Sequence, residues 1–549
     1  MSDAKSSAAT KDFDAIVVGA GFSGMYMLHK LRELGLSARV FEAADGVGGT
    51  WYWNRYPGAR CDSESYYYAY SFSKEIQQEW NWSCRYPEQP EILRYLNFCA
   101  DKLDLRRDIQ FNTRITGARY NDTTHRWDIE TEDGKRVSAR YFITAVGCLS
   151  AAQIPNIKGL ESFRGKWYHT GKWPHEGVDF TGKRVGIIGT GSSGIQAIPV
   201  IAAQAKHLTV FQRTPNYTVP ARDAPMPADF QKTVKATYDE ITRKTRASVF
   251  GMPFDFPEQS ALEATPEQRK AIYDSWWDKG GFGFLLSSYN DLIINKEANE
   301  TAAEYVRAKI RDIVKDPVTA EKLTPRTYPI GTKRPPIDTD YYETFNRENV
   351  TLVDIRSLPI EEITPKGIRT SEAEYELDAI VFATGFDAMT GALFKLGIHG
   401  KGGIALEQQW AHGPQTYLGI ATTGFPNLFI ITGPGSPSVL SNMPVSIEQH
   451  VEWIAGCIQY MRAHNLDSIE PSEDAQRTWV AHVNELANET LFPQADSWYM
   501  GANIPGKPRV FLPYTGGVGP YRDRCAEIAE KGYEGFVMTR DRQNEAVGA

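Results

Sequence analysis

Two glycine-rich turns in this chain have the residue types and spacing that bind the pyrophosphate of a dinucleotide. They read Gly19-Ala20-Gly21-Phe22-Ser23-Gly24 and Gly189-Thr190-Gly191-Ser192-Ser193-Gly194. Each follows a short apolar stretch, and its small residues let backbone N–H groups and the start of a helix approach two phosphates. A single turn of this kind is weak evidence, because it can also serve only to pack a helix against a sheet. Two turns in the same strand–turn–helix context predict two dinucleotide sites.

The residue expected at the adenosine ribose differs between the two sites. Glu42 and Gln212 each stand eighteen residues after the last glycine of their turn, where an apolar strand ends. A carboxylate accepts hydrogen bonds from the ribose hydroxyls and repels a 2′-phosphate. Neutral Gln212, followed by the cation Arg213, has the opposite preference. The sequence therefore predicts FAD or NAD in the first site and NADP in the second.

The elements that must position these turns alternate between strands and helices. In the two units, strands are predicted at residues 13–18, 38–41, 184–188 and 208–211, and further strands at 126–131, 140–146, 350–354 and 377–383. Residues 228–316 are rich in Glu, Lys and Ala, and apolar residues recur there at helical spacing, at Val306, Ile310, Ile313 and Val314. A long helix is predicted at 445–464. This pattern favours an α/β fold with two Rossmann-like dinucleotide-binding domains and a helical insertion in the second.

Length and composition are those of a globular protein. The 549 residues, 42% of them hydrophobic and 23% charged, allow about two to four domains with deep cores. A net charge of −8 argues against nucleic-acid binding as the main role. No run approaches the about 18 apolar residues of a membrane span, and the polar start does not resemble a signal peptide. Six scattered cysteines without a CxxC pair indicate neither a disulfide framework nor a zinc site. We therefore expect a cytoplasmic protein with no membrane, metal or nucleic-acid partner.

Two longer motifs accompany the turns. One lies between the two units and reads FxGxxxHxxxWP, at Phe163, Gly165, His169, Trp173 and Pro174. The other reads GxWxxxx(F/Y)PGxxxD, at Gly49-Thr50-Trp51, Tyr56-Pro57-Gly58 and Asp62. At these residues the chain resembles the flavin-dependent Baeyer–Villiger monooxygenases, and it is most similar to their phenylacetone monooxygenase branch. The similarity extends over nearly the whole chain.

The resemblance implies FAD in the first site and NADP in the second. It implies that NADPH reduces FAD, that the reduced flavin forms a C4a-peroxyflavin with O₂, and that one oxygen atom is inserted beside a ketone carbonyl. The product would be an ester or a lactone, with sulfoxidation as a secondary activity. The terminal oxygen of the peroxyflavin must stay anionic to attack a carbonyl, so the protein must supply fixed positive charge. The expected partners are a small ketone and O₂, and the expected assembly is a monomer or a weak homo-oligomer.

The resemblance also implies how the chain divides into domains. Residues 1–150 and 385–549 would form the FAD-binding domain. Residues 151–222 and 331–384 would form the NADP-binding domain, interrupted by the helical insertion at 223–330.

Two charged residues carry the expected catalytic role. The family's catalytic arginine matches Arg334, and the aspartate that orients it matches Asp62. Lys333, Arg213 and Thr214 match family residues at the NADP phosphate. A guanidinium suits the catalytic role because it does not deprotonate in proteins, so it supplies charge without acting as an acid. From composition alone, a solvated basic patch and a turn cap at Asp62 are the alternatives.

Three aromatic residues and one histidine have expected places around the cofactors. Trp51 and Tyr56 would form walls of the flavin site. Trp498 matches a family position at the nicotinamide and the substrate cavity, with a core aromatic as the alternative. We expect His169 to couple the movement of the two domains rather than to act as a base. A histidine held only by backbone hydrogen bonds is its alternative.

The substrate pocket is the least determined part of the site. Val439, Leu440 and Met443 match a loop that borders the pocket in similar enzymes. They would give the pocket an apolar surface suited to hydrophobic ketones, and ordinary loop packing is the alternative for each.

Three other functions compete with ketone oxidation. Flavin N- or S-monooxygenases share FxGxxxH but usually lack the Trp-Pro ending, so Trp173-Pro174 favours the ketone reaction. A non-catalytic nucleotide-sensing flavoprotein and an uncoupled NADPH oxidase would share the fold. The joint presence of Asp62, Lys333 and Arg334 argues against these last two.

Overall fold

The computed structural model describes residues 11–540, in which strands and helices alternate. In chain order, the strands are β1 (Lys11–Val18), β2 (Ala38–Phe41), β3 (Ile109–Gln110), β4 (Ile115–Asn121), β5 (Arg126–Thr131), β6 (Arg136–Thr144), β7 (Lys166–His169), β8 (Arg184–Ile188), β9 (His207–Gln212), β10 (Val219–Pro220), β11 (Ile337–Asp338), β12 (Val350–Asp354), β13 (Ile360–Thr364), β14 (Gly367–Thr370), β15 (Glu374–Glu376), β16 (Ala379–Phe382), β17 (Ile398–His399), β18 (Leu428–Ile430), β19 (Ser468–Pro471) and β20 (Phe536–Thr539). The α-helices are α1 (Phe22–Glu33), α2 (Thr50–Trp53), α3 (Lys74–Glu79), α4 (Gln89–Lys102), α5 (Ser192–Gln204), α6 (Ala228–Ala236), α7 (Tyr238–Ala247), α8 (Pro266–Lys279), α9 (Gly283–Leu286), α10 (Lys296–Ile313), α11 (Pro317–Leu323), α12 (Tyr341–Thr344), α13 (Gly391–Phe394), α14 (Leu406–Gln409), α15 (Met443–Ala463), α16 (Glu473–Asn488) and α17 (Val518–Glu530).

The first large sheet draws strands from both ends of the chain. Its order is β17-β4-β5-β6-β1-β2-β3, and β18 also pairs with β6. Around the glycine turn, β1 runs parallel to both β2 and β6. The last four residues of β1, Ala15 to Val18, are buried on both faces, as in a parallel sheet covered by helices. Since β17 and β18 come more than 250 residues after β6, the first dinucleotide unit contains late parts of the chain.

The second large sheet is parallel throughout and has the order β12-β9-β8-β16-β7. The helices α6 to α11 lie between β9 and β12 in the chain, so they interrupt this unit. Within α10, Val306 and Ile310 are fully buried, whereas Ile313 is half-buried. The predicted α/β fold with two dinucleotide units and a helical insertion is confirmed, whereas the domain boundaries at 150, 222, 330 and 384 stay predictions.

Most predicted strands agree closely with the observed ones. The predictions for 38–41, 126–131, 184–188 and 350–354 have the bounds of β2, β5, β8 and β12. The strand predicted at 140–146 begins earlier, at Arg136, because Arg136 to Ala139 pair with β5. The long late helix is observed as α15. Within residues 11–540, no helix is both long and apolar enough to span a membrane.

Candidate active site

The first glycine turn connects β1 to α1 by a close backbone contact. Gly19 has a φ of +103°, and a Cβ on Gly24 would lie 1.7 Å from the carbonyl oxygen of Gly19. The Glu42 carboxylate, buried at the end of β2, accepts hydrogen bonds from the N–H groups of Ala20 (2.6 Å) and Ala44 (2.8 Å). Burial raises the pKa of Glu42, although these bonds favour its ionised form. A carboxylate thus lies directly beside the turn, where an adenosine ribose is expected.

The second turn has the same geometry, and the space beside its middle glycine is open. Gly189 has a φ of +110°, and a Cβ on Gly194 would lie 2.2 Å from the Gly189 carbonyl oxygen. For Gly191, in contrast, a Cβ would meet no atom of the described chain within 4 Å. The Thr190 hydroxyl donates to the carbonyl of Thr214 (3.0 Å) and so ties the turn to the end of β9.

The start of each helix is free to receive an anion. Phe22-Ser23 opens α1 and Ser192-Ser193 opens α5. In the part of the chain that the structure describes, no side chain caps either start, so backbone N–H groups remain available. Uncapped amides beside small residues fit the pyrophosphates of FAD and NADP.

The Gln212 amide takes an orientation that its sequence position does not reveal. Its side chain is buried, and its Nε2 donates to the Lys322 carbonyl at the end of α11 (2.7 Å). Its Oε1 has no partner among residues 11–540. One N–H of the amide is therefore committed to the helical insertion, and the oxygen is left for a ribose hydroxyl. The expected role at the ribose stays a prediction.

Three cations gather at the ends of β9 and β12. Burial, followed by the charge of Arg213, lowers the pKa of Lys333 to about 8. Arg356, which follows β12, also lowers it, whereas Asp496 raises it. Cations close enough to lower the pKa of Lys333 make, together with it, a site for a polyanion such as a 2′-phosphate. Sequence reasoning missed Arg356, because a lone arginine after a strand belongs to no motif.

The segment 49–62 reaches from the first unit to the second. Gly58 has a φ of +79°, and a Cβ there would lie 2.4 Å from the Gln196 carbonyl of α5, so a side chain cannot fit. The hydroxyl of Tyr56 donates to Gln196 Oε1 (2.7 Å). The Tyr-Pro-Gly turn is therefore packed against the helix that begins at the second glycine turn. The contacts of Tyr56 are with that helix, and its expected place at the flavin stays a prediction.

Earlier residues of this segment lie in the first unit. Gly49 has a φ of +53° and precedes the short helix α2, in which Thr50 is exposed. Trp51 is buried, and its indole N–H donates to the hydroxyl of Tyr68 (3.1 Å). An indole fixed by a hydrogen bond at its edge is suited to forming a rigid wall.

Arg334 and Asp62 form a bidentate ion pair. The Arg334 Nε lies 2.7 Å from Asp62 Oδ2, and its Nη2 lies 2.8 Å from Oδ1. The side chains are 25% and 17% exposed. Burial lowers the pKa of Arg334, but the charge and hydrogen bonds of Asp62 outweigh it and raise the pKa above its usual range. The site therefore contains a permanent cation in a fixed orientation.

Residues from three further segments surround this cation. The third nitrogen of Arg334, Nη1, donates to the Val439 carbonyl (3.0 Å). The ring of Phe282, from the helical insertion, faces the guanidinium at 5.2 Å. Burial raises the pKa of the Tyr499 hydroxyl, and the neighbouring Arg334 opposes this by charge and hydrogen bonding. Neither Phe282 nor Tyr499 stood out in the sequence, since each is an aromatic residue outside any motif.

The expected pocket residues lie beside this group. Val439 is buried, Leu440 and Met443 are half-buried, and all three belong to one apolar cluster. Half-buried Trp498 packs against the same cluster. The structure thus brings the four residues into one cluster, of which Val439 contacts Arg334 through its backbone carbonyl.

His169 connects the two chain segments that link the sheets. It is buried, its Nδ1 accepts from the Gly171 N–H (3.0 Å), and its Nε2 lies 3.2 Å from the Gln153 carbonyl. The same carbonyl accepts a hydrogen bond from the Thr384 hydroxyl (2.6 Å). Burial lowers the pKa of His169, so the imidazole is neutral near pH 7. These contacts support a coupling role, which stays a prediction.

The remaining residues of this motif pack within the second unit. A Cβ on Gly165 would lie 2.5 Å from the Asp378 carbonyl and 2.6 Å from the ring of Phe163. Trp173 is buried, and Pro174 after it is half-buried. None of them reaches Arg334 through a described hydrogen bond.

Comparison with known proteins identifies the family. Residues 13–235 match the model of the flavin-binding monooxygenase-like family. The chain is 47% identical, over 98% of both chains, to a Baeyer–Villiger monooxygenase of Pseudooceanicola batsensis. It is 44% identical to phenazine N-monooxygenase PhzNO1 of Lysobacter antibioticus, over 96% of this chain and 97% of the other. Among solved structures, oxidised steroid monooxygenase bound to NADP superposes with a TM-score of 0.92, at 51% identity over 97% of this chain and 100% of the other.

The chain belongs to the Baeyer–Villiger monooxygenases. This Baeyer–Villiger monooxygenase is an NADPH-dependent flavoprotein that binds FAD and NADP and oxidises ketones with O₂. The predicted family, cofactors and reaction are thereby confirmed. The roles assigned to single residues stay predictions, because the comparisons concern whole chains.

Proposed function

We propose that this enzyme oxidises apolar ketones to esters or lactones with Arg334 as its catalytic cation. The observation that carries the proposal is the bidentate Arg334–Asp62 pair, in which Asp62 belongs to the motif that reaches between the two dinucleotide units. Bound FAD and NADPH supply the reducing equivalents and the activation of O₂. The residues of the chain supply charge, orient the reactants and exclude water.

Arg334 acts as a fixed charge near the attacking oxygen. Attack on a carbonyl places negative charge on oxygen, and a preorganised cation in a site of low polarity stabilises that charge. The guanidinium does not transfer a proton at neutral pH, so it leaves the attacking oxygen ionised. Asp62 holds two of the three nitrogens, and the remaining Nη1 donates to the backbone carbonyl of Val439. That nitrogen is the one that can turn towards a reacting oxygen.

The substrate class follows from the neighbours of this cation. An apolar cluster contacts Arg334 at Val439 and also contains Leu440, Met443 and Trp498. An apolar wall next to a single cation favours a ketone with hydrophobic substituents over a charged substrate. Lys333, Arg213 and Arg356 bind the 2′-phosphate of NADPH at the far end of the cofactor.

Heteroatom oxidation is the second candidate. It is favoured by the 44% identity to a phenazine N-monooxygenase over nearly the whole chain. Oxidation of nitrogen or sulfur needs an electrophilic, protonated oxygen, and a permanent cation without a transferable proton opposes it. Ketone oxidation is therefore the main reaction, and sulfoxidation a minor one.

Product analysis separates the two functions. The purified holoenzyme would be supplied with NADPH, O₂ and, in separate reactions, a cyclic ketone, an aryl ketone, a thioether and an aromatic N-heterocycle. We expect ester or lactone in amounts close to the NADPH consumed with the ketones, and at least about tenfold slower oxidation of the heteroatoms. N-oxide or sulfoxide without any ester would contradict the proposal.

A further inference from the structure

We propose that Asp338 is a positioning residue for Arg334, acting through a hydrogen bond to Thr218 that fixes the strand pair β10–β11. The proposal rests on the proposed role of Arg334. It adds a residue that lies outside both family motifs and four positions beyond the catalytic cation.

The backbone between Arg334 and Asp338 couples the position of Arg334 to that of β11. Arg334 is joined to β11 by Pro335-Pro336, whose rings fix φ and leave this link few conformations. The Pro336 carbonyl accepts from the Val219 N–H of β10 (3.1 Å), and the Asp338 carbonyl accepts from Ala221 (2.8 Å). A shift of β11 along β10 would therefore move Arg334 with it.

The Asp338 side chain secures this short ladder. Its carboxylate accepts a hydrogen bond from the hydroxyl of Thr218, which is fully buried, and a longer one from the Tyr341 N–H (3.3 Å). The strands pair over only two residues each. A ladder of this length is weak by itself, so a side-chain bond at its end contributes much of its rigidity.

The same strand also holds the other side of the cation. The Pro220 carbonyl of β10 accepts from the Gly281 N–H (2.9 Å). The next residue is Phe282, whose ring faces the Arg334 guanidinium. The bond between Thr218 and Asp338 thus ties together the segment that carries Arg334 and the segment that supports it.

The charge of Asp338 changes near neutral pH. Burial raises the pKa of its carboxyl to about 7, and the negative charges of Glu343 and Asp340 raise it as well. The hydroxyls of Tyr341 and Tyr342 are also neighbours, and their pKa values are raised, so they stay neutral in this range. The bonds from Thr218 and Tyr341 favour the ionised carboxylate. Because a hydrogen bond to an ionised acceptor is about twice as strong as a neutral one, the ladder tightens above pH 7.

The first test is the pH profile of Asp338→Asn. The amide keeps an acceptor for Thr218 but cannot ionise, so it should resemble the protonated wild type at every pH. We expect the ratio of wild-type to variant kcat for ester formation to be near 1 at pH 6 and about 5 at pH 8.5. A ratio that does not change with pH would overturn the proposal.

A matched pair at Thr218 keeps the test decisive if Asp338→Asn folds poorly. Thr218→Ser retains the hydroxyl donor and should behave like the wild type. Thr218→Val removes it and should lower kcat at pH 8.5 about fivefold, with little effect at pH 6. Combining Thr218→Val with Asp338→Asn should give no further loss. Equal behaviour of the Ser and Val variants would overturn the proposal.

A stability measurement gives a readout independent of turnover. A raised carboxyl pKa stabilises the fold below about pH 4, and this contribution is lost as pH rises to about 7. The Tm of the wild-type holoenzyme minus that of Asp338→Asn should therefore decrease from about pH 4 to about pH 7 and stay constant at higher pH. A constant difference would contradict the proposed ionisation. Arg334→Ala distinguishes the two proposals. If this variant forms ester at the full rate, the proposed function is wrong, irrespective of the results for the Asp338 variant.

Discussion

Replacing Asp62 by asparagine changes one contact of the catalytic cation while keeping the size of the side chain. The amide oxygen can still accept from Arg334 Nη2, at the 2.8 Å position of Oδ1. The amide NH₂ group would then face Arg334 Nε, which now donates to Oδ2 over 2.7 Å. Two hydrogen-bond donors cannot bond to each other, so the guanidinium must rotate away from its present orientation.

The expected size of the effect follows from the geometry. A hydrogen bond to a charged group contributes about 1.5–3 kcal/mol. The pair is 25% and 17% exposed, so solvent screening reduces the loss, to about 1–2 kcal/mol. If this free energy holds Arg334 in its productive orientation, ester formation should slow by about 5- to 30-fold.

The assay compares Asp62→Asn with a control pair of similar burial. Arg32 Nε donates to Asp108 Oδ2 over 2.7 Å, and the side chains are 19% and 29% exposed. Asp108→Asn should lose a similar amount of stability in thermal unfolding but retain ester formation. Asp62→Asn should lose ester, measured by gas chromatography, and release more H₂O₂ per NADPH. If both variants lose stability alike and both keep ester formation within about twofold, the pair is structural and our reasoning is wrong.

The remaining predictions concern the NADP site. Lys333→Ala should lower kcat/KM for NADPH about 10- to 100-fold and leave that for NADH nearly unchanged, because only NADPH carries the 2′-phosphate; equal losses would contradict this. Since the pKa of Lys333 is lowered to about 8, the wild-type KM for NADPH should rise above that pH as the charge is lost, and the rise should be absent in Lys333→Ala. Gly191→Ala should keep the wild-type Tm and FAD content, because its Cβ meets no atom of the described chain, yet bind NADP⁺ at least about tenfold more weakly. Gly194→Ala, whose Cβ would lie 2.2 Å from a carbonyl oxygen, should lose stability as well. Tight NADP⁺ binding by Gly191→Ala would show that the pyrophosphate lies elsewhere.

Local patterns predicted the elements of this fold well. Apolar runs that end at glycine turns are short-range features, and β2, β5, β8 and β12 have the predicted bounds. The helical insertion was predictable from the spacing of Val306 and Ile310, because burial on one helix face imposes that period. The strand β6 was predicted to begin too late, since Arg136 and Ser138 interrupt the apolar pattern at its start, and these residues are held by pairing with β5.

The contacts of the candidate site were predictable only in part. Asp62 and Arg334 lie 272 residues apart, and no local pattern predicts their pairing; the family resemblance did. The orientation of Gln212 depends on the carbonyl of Lys322, at the end of a helix 110 residues later. Tyr56 contacts the second unit because Gly58 allows the backbone to approach α5. Such contacts are decided by how distant elements pack, which residue types alone do not reveal.

Ester formation by Arg334→Ala tests the central claim most directly. The variant should purify with FAD and still oxidise NADPH, while its rate of ester formation from a ketone falls at least about 10²- to 10³-fold, and Arg334→Lys should recover part of that loss. Ester formation by Arg334→Ala at the wild-type rate would show that a different group stabilises the developing charge.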